Sequence, residues 1–334
     1  VYESEGRYAE AADVLERLTL GQPTDAALHY RLGIILAVTD PAAAREHLAL
    51  ASGLDPSFRA ATDALDAAIN YALATDDPAA GAGLIGYTLV NLEQYGLAEV
   101  ALQSAIELDP DYADAYAYLG LSADRRGGDG LQQYEQALAL DPDSALAHTL
   151  TGIYWKQHGD QARALAELTR ANELDPLNAA ISAELAGVHA ARADLTAAEE
   201  WYLNAVRLAP NDTTFWTLLA RFYLDYDFKA IEQGLPAART ATEHGPIYAP
   251  AHDALGHALV VAGRADEAES ALLRALELDP EYAPAYFHLG LAYLELDRQD
   301  DAVRSLQTAL TLDPDGPTGN RALNTLARLP ADGG

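Results

Sequence analysis

The sequence predicts an all-α fold, a solenoid of stacked helix pairs, and three observations predict it. First, the tripeptide LDP recurs, ending at Pro56, Pro110, Pro142, Pro176, Pro280 and Pro314. With Pro210 (LAP) and Pro246 (HGP) included, the spacings from Pro110 onward are 32, 34, 34, 36, 34 and 34 residues, a near-fixed period that marks a repeat architecture. Second, apolar residues inside each period follow helical spacing. In the last one, Tyr286, Leu289 and Tyr293 share a face of a first helix, and Val303, Leu306 and Leu310 a face of a second,. Third, small residues return to fixed places. Gly33, Gly86, Gly120, Gly152, Gly256 and Gly290 take one slot, with Ala186 and Ala220 in the equivalent places. Ala98, Ala164, Ala198, Ala268 and Ala302 take a second, and Ala105, Ala137, Ala171, Ala205, Ala275 and Ala309 a third. A missing side chain lets neighbouring helix backbones approach closely, and the proline ends each pair because it cannot continue a helix.

The combination of period, small slots and terminal proline resembles the tetratricopeptide repeat (TPR). The resemblance covers nearly the whole chain. It implies a right-handed α-solenoid superhelix of about eight helix-turn-helix units plus a C-terminal capping helix, with the first helices lining a concave groove.

Taken in order, residues 1–23 read as an incomplete repeat: VYES is the last turn of a first helix and GRYAEAADVLERL its partner. Part of an apolar helix face would then stay open, to be covered by upstream residues, another protein or a second copy. A repeat follows at 24–56 and a helix without a pair at 57–76, read either as a spacer that reorients the stack or as a partner-binding insertion. Seven repeats fill 77–314, with boundaries at 110, 142, 176, 210, 246 and 280. The shortened turn DRRGGDG at 124–130 reads as solvated charge, and DYDFKAIEQGLP at 225–236 as a bend or irregular loop. The tail, 315–334, holds a short amphipathic helix, TGNRALNTLARL. The whole is read as one solenoid.

GAGLIG, Gly81–Gly86, spells the glycine fingerprint of a dinucleotide-binding turn. That fingerprint works only between a strand and a helix. Here Asp77-Pro78 opens a helix, Ile85 is core and Gly86 is the small slot, so no nucleotide is expected.

Bulk composition narrows the function. The net charge is −30, with two lysines, Lys156 and Lys229, against nineteen arginines; a nucleic-acid backbone or anionic membrane would need concentrated Lys and Arg. No apolar run reaches a membrane span. There is no cysteine and no methionine. This suits an oxidising, extracytoplasmic or secreted setting, and a biased composition in a cytoplasmic protein accounts for it as well.

No catalytic constellation emerges. His29, His148 and His252 occupy a packing slot, while His252 and His257, five apart, point to different helix faces. Without thiolates or an H-E-x-x-H pair, no metal site is expected, and without a Walker or nucleophile-elbow motif neither is a cofactor or an enzyme activity. What remains is a surface for a protein or peptide segment. The resemblance assigns the groove to Tyr30, Ile34, Tyr87, Asn91, Leu121, Ile153, Lys156, Gln157, Arg221, Leu224, Asp253, His257, Phe287, Leu291 and Leu294. It lacks the regular Lys/Asn/Arg set that holds a C-terminal carboxylate in some members. The alternative is a structural protein whose copies join head to tail into a filament, with Val1, Tyr2, Tyr8 and Leu15 at one end meeting Ala322, Leu323, Leu326 and Leu329 at the other.

Overall fold

A computed structural model describes residues 2–329. Among these the chain forms nineteen α-helices and no strand. It divides into two compact units, Val1–Pro176 and Leu177–Gly334.

The first unit opens with a 3-10 turn, Glu3–Glu5, followed by α1 (Tyr8–Gly21), α2 (Ala26–Thr39), α3 (Pro41–Leu54) and α4 (Arg59–Ala74). Three helix pairs complete it: α5 (Pro78–Asn91) with α6 (Tyr95–Leu108), α7 (Ala113–Arg125) with α8 (Leu131–Leu140), and α9 (Ala145–Gln157) with α10 (Gln161–Leu174). The second unit contains α11 (Ala179–Ala191), α12 (Leu195–Leu208), α13 (Thr213–Asp225), α14 (Leu235–His244), α15 (Ala249–Val261), α16 (Ala265–Leu278), α17 (Ala283–Glu295), α18 (Gln299–Leu312) and α19 (Pro317–Leu326).

The recurring LDP has a local cause. Asp55, Asp109, Asp141 and Asp279 each accept the amide two residues on, at 2.9–3.0 Å, an Asx turn built across the proline,. Two residues beyond Pro23, Pro142, Pro176 and Pro210, the side chains of Asp25, Ser144, Asn178 and Asp212 accept first-turn amides and cap the next helix,. The small slots are occupied as their spacing requires. A Cβ built on Gly86, Gly152, Gly256 or Gly290 would lie within 2.3–2.7 Å of the Cγ of Leu102, Leu168, Leu272 or Leu306 on the paired helix, and the alanines of the second and third slots are fully buried.

GAGLIG lies wholly inside α5. Its glycines serve three separate contacts: a Cβ would come within 2.9 Å of Ala72 Cα at Gly81, 2.4 Å of Tyr112 Cε1 at Gly83, and 2.6 Å of Leu102 Cγ at Gly86. Close packing accounts for all three.

The departures from the repeat also resolve. VYES reads from sequence as the last turn of an α-helix, whereas residues Glu3–Glu5 form a 3-10 turn, held to α2 by a bidentate Arg31–Glu3 pair at 2.7 and 3.0 Å. α4 buries Thr62, Leu65, Ala68 and Ile69, and Phe58 before it stacks on Tyr30 at 4.7 Å. The turn at 124–130 is built rather than loose, because Asp124 accepts from Gly130 N at 2.6 Å and from the Tyr134 hydroxyl at 2.7 Å. The segment at 225–236 contains a π-helical turn, Ala230–Gly234, after Lys229 in the left-handed region (φ 52°). Lys229 Nζ and the Tyr223 hydroxyl both donate to Glu199, which fixes this irregular turn on α12.

Candidate functional site

The packing slot of the first helices also makes a hydrogen bond. His29, His148, Trp216 and His252 each aim a ring nitrogen at the carbonyl of the proline six residues earlier, Pro23, Pro142, Pro210 and Pro246, at 2.8–3.2 Å. A carbonyl only accepts, so the ring nitrogen donates. His252 thus turns to the repeat boundary, while the His257 ring faces His288 of α17.

The fifteen groove residues separate by exposure. Tyr87, Asn91, Gln157 and Arg221 are exposed, and Tyr30, Leu121, Ile153, Lys156, Leu291 and Leu294 half-buried. Ile34, Leu224, Asp253, His257 and Phe287 are buried, at 2–8% exposure, which corrects their assignment to the open groove. Ile34 packs into the core of the first unit. Leu224 is covered by the π-helical turn, where Gly234 packs beside its side chain. Phe287 lies beneath the Arg321 guanidinium of α19, 4.6 Å from the ring centre. Asp253 accepts from His288 Nδ1 at 2.7 Å, and the His257 ring stacks on that of His288.

The end-contact residues divide similarly. Leu15 is buried against α2 and Ala322 against α17 and α18, so neither faces outward. Tyr2 and Leu323 are exposed, whereas Tyr8, Leu326 and Leu329 are half-buried; Val1 lies outside the described residues.

In the first unit, α4, α5 and α7 converge on an aromatic cleft of about 280 Å³. Tyr71 comes from α4, Tyr87 from α5, Tyr112 from the residue just before α7 and Tyr118 from its middle; Gly83, Leu84 and Asp114 also line the walls. Tyr87 and Tyr118 are tilted against each other with ring centres 5.0 Å apart. Gly83 makes room for Tyr112 at the cleft wall. Burial, with nearby acids and tyrosines, pushes the Tyr112 and Tyr118 hydroxyls up, so both stay protonated donors. Burial, then Asp141, raises the Asp114 carboxyl. Of these tyrosines the sequence singled out only Tyr87. Tyr71 stands in the unpaired helix, where no repeat register assigns it a face; the neighbouring GAG could have signalled that something bulky crosses α5.

A larger cavity of about 760 Å³ lies in the same unit, lined by Tyr8, Glu99, Gln103, Glu107 and Arg126 among others. Its wall is mixed and charged, and Arg126 is already paired with Glu99, whereas the walls of the smaller cleft are mainly aromatic and small apolar residues. Among the described residues no group of three or more His, Cys, Asp or Glu is placed to hold a metal, and no helix is long and apolar enough to cross a membrane.

Comparison with known proteins bears on what such a surface is. Residues 125–171 and 254–317 match one family profile described as tetratricopeptide repeat, residues 156–222 a second, and residues 81–112 a third with the same description. No curated protein sequence matches the chain. Among solved structures, human IFIT1, determined as a dimer with PPP-AAAA, aligns with TM-score 0.61 and 17% identity over 94% of this chain and 84% of its own. Yeast Tom70 aligns with TM-score 0.57 and 15% identity over 98% and 86%. The Pseudomonas aeruginosa pilF product aligns with TM-score 0.54 and 21% identity over 66% and 97%. At these identities the likeness is one of fold.

Proposed function

This chain belongs to the tetratricopeptide-repeat family, and we propose from that premise that it is a non-enzymatic scaffold that holds a protein segment in the tyrosine-lined cleft of its first unit. The observation that carries the reading is the convergence of Tyr71, Tyr87, Tyr112 and Tyr118 on one cavity, with Tyr71 and Tyr87 exposed at its rim. Tyrosine offers a broad apolar face and a polar tip at low entropic cost, which is why it is enriched among residues that dominate binding. The occupant that fits is an extended or helical segment with a large apolar side chain for the cavity and a hydrogen-bond acceptor for the hydroxyls. The net charge of −30 favours fast encounter with a segment that is basic outside its anchor.

Selection from a peptide-display library, followed by affinity measurement on the selected sequence, tests this. Replacing Tyr87 or Tyr118 with alanine is expected to cost about 2 kcal/mol of binding each. A selected peptide whose affinity ignores both substitutions would refute the cleft.

Head-to-tail assembly has less to rest on, because Leu15 and Ala322 are turned inward. It would depend on Tyr2 and Leu323, and sedimentation of the Leu323→Glu variant against the parent tests it.

A further inference from the structure

The cleft between α4, α5 and α7 offers rings and an acid but no cation. Tyr71 and Tyr87 are exposed at its rim, and the Tyr87 and Tyr118 ring centres are 5.0 Å apart. Asp114, exposed in the first turn of α7, is the one charged residue that lines it. Among the described residues Asp114 forms no ion pair and no side-chain hydrogen bond. Burial, then Asp141, raises its carboxyl, and no positive group acts against them. The carboxylate is close to the aromatic walls. After burial it is the next cause that raises the Tyr112 hydroxyl, and after burial and Tyr87 it raises that of Tyr118.

Elsewhere in the chain the same combination is complete. Arg298 lies over the Tyr293 ring, 4.1 Å from its centre, while its Nη1 and Nε donate to Glu269 and Asp301, each at 2.8 Å. Arg163 lies 4.3 Å from the Trp155 ring centre and pairs with Asp160 at 3.2 Å. Lys229, 4.8 Å from the Phe228 ring centre, pairs with Glu199. Four of the five ring–cation contacts among the described residues use arginine. The guanidinium suits such a place because it stacks on an aromatic face, is more weakly hydrated than an ammonium, and meets a carboxylate with a planar fork. In the tyrosine cleft the ring faces and the carboxylate are present, and the cation has to come from outside.

We propose that the cleft reads an arginine of the partner segment, placed beside the apolar anchor, with its guanidinium forked on Asp114 and laid against the Tyr87–Tyr118 walls. This rests on the reading of the cleft as the binding site and adds a second residue to the description of its occupant. Charge favours it locally as well as over the whole chain. No Lys, Arg or His lines the cleft, Asp77 and Asp109 are near enough to act on Tyr112 beside Asp114, and the net charge is −30. An exposed ion pair alone contributes little. The ring faces change that, because they attract the cation and remove water from one side of the pair. An acidic residue at the same place in the segment would meet like charge and be rejected.

The test is selection of random displayed peptides on the full chain, then titration calorimetry of a selected peptide synthesised with arginine, citrulline or lysine at the enriched position. Citrulline keeps the shape of arginine and removes its charge. We expect arginine to be enriched beside a large apolar residue, the citrulline peptide to bind about tenfold more weakly, and the lysine peptide to fall between the two. Asp114→Asn, at an exposed position that tolerates substitution, should bring the arginine and citrulline peptides within about twofold of each other and leave the citrulline peptide's affinity as it was, which closes a double-mutant cycle. Peptides that depend on Tyr87 but show no arginine, or bind equally well with citrulline or lysine in its place, would overturn this proposal and leave the cleft standing. An arginine preference that survives Asp114→Asn would overturn it as well, since the charge would then be read elsewhere. Failure to select any peptide, or peptides whose affinity ignores Tyr87→Ala, would remove the cleft and this proposal together.

Discussion

The imidazole rings of His257 and His288 lie face to face, with centres 4.1 Å apart and planes 12° from parallel. Burial is the main cause that lowers His257 to about 2, and His288, Arg321 and Arg221 add to it. In the unfolded chain the same residue titrates near 6.5. Between those values the unfolded state binds the extra proton, so this stabilisation is present above about pH 6.5 and is lost as pH falls. The slope from this one group approaches about 1.4 kcal/mol per pH unit. Urea unfolding from about pH 7 to about pH 4.5 is expected to show a shallower loss of stability in His257→Gln than in the parent. Equal slopes would remove His257 from the account.

How much of this the sequence discloses depends on distance along the chain. The helix pairs were legible because their signals are local: apolar spacing, an Asp-Pro turn and a glycine facing a leucine on the next helix. The buried pair of the second unit was not. Asp253 and His288 are 35 residues apart, each on a helix whose own pattern reads as ordinary packing, and only their juxtaposition makes a polar pair. Phe287 shows the same limit. Its position on a first helix predicted a groove residue, but α19 folds back and lays Arg321 over the ring. The tail was recognisable as a cap, yet nothing in its composition says which face it would close. Tyr71 and Tyr112 escaped because one stands in the helix that breaks the register and the other precedes its helix.

The ring-to-carbonyl bond at the repeat boundaries can be tested by exchange between repeats. Trp216 donates to Pro210 O at 2.8 Å, and three histidines do the same elsewhere. Trp216→Phe keeps an aromatic ring and deletes the donor, for an expected loss of about 1 kcal/mol. Trp216→His supplies the donor again, and its stability in chemical denaturation should recover relative to Phe. If Phe and His are equally stable, the bond contributes nothing measurable.

Gly83 and Tyr112 link the packing of α5 to the proposed binding cleft. A Cβ at Gly83 would sit 2.4 Å from Tyr112 Cε1, and the far end of that side chain can swing away into the cavity it lines. Gly83→Ala should therefore alter the cleft more than the fold. The helix gains about 1 kcal/mol of propensity, which offsets the cost of moving Tyr112, so the denaturation midpoint should change little. Affinity for a cleft-selected peptide should fall about tenfold. Unchanged affinity, with the fold intact, would argue that the occupant does not reach Tyr112.

Two glycines in helices should respond to alanine with opposite signs, because only one of them faces a neighbour. Gly53, near the end of α3, has no atom within 4 Å of an added Cβ, so Gly53→Ala is expected to stabilise by up to about 1 kcal/mol through helix propensity alone. Gly256, inside α15, would place its Cβ 2.3 Å from Leu272 Cγ and 2.6 Å from Cδ2. Leu272 is fully buried, so the helices must separate or the leucine must leave its rotamer. Overpacking of this kind costs about 1–3 kcal/mol, against the same propensity gain of about 1 kcal/mol, and the net expectation for Gly256→Ala is a loss of up to about 2 kcal/mol. Chemical denaturation of the two variants beside the parent decides the matter. Stabilisation by both would mean that the paired helices yield at the small slot, and that close approach there is not what selects glycine.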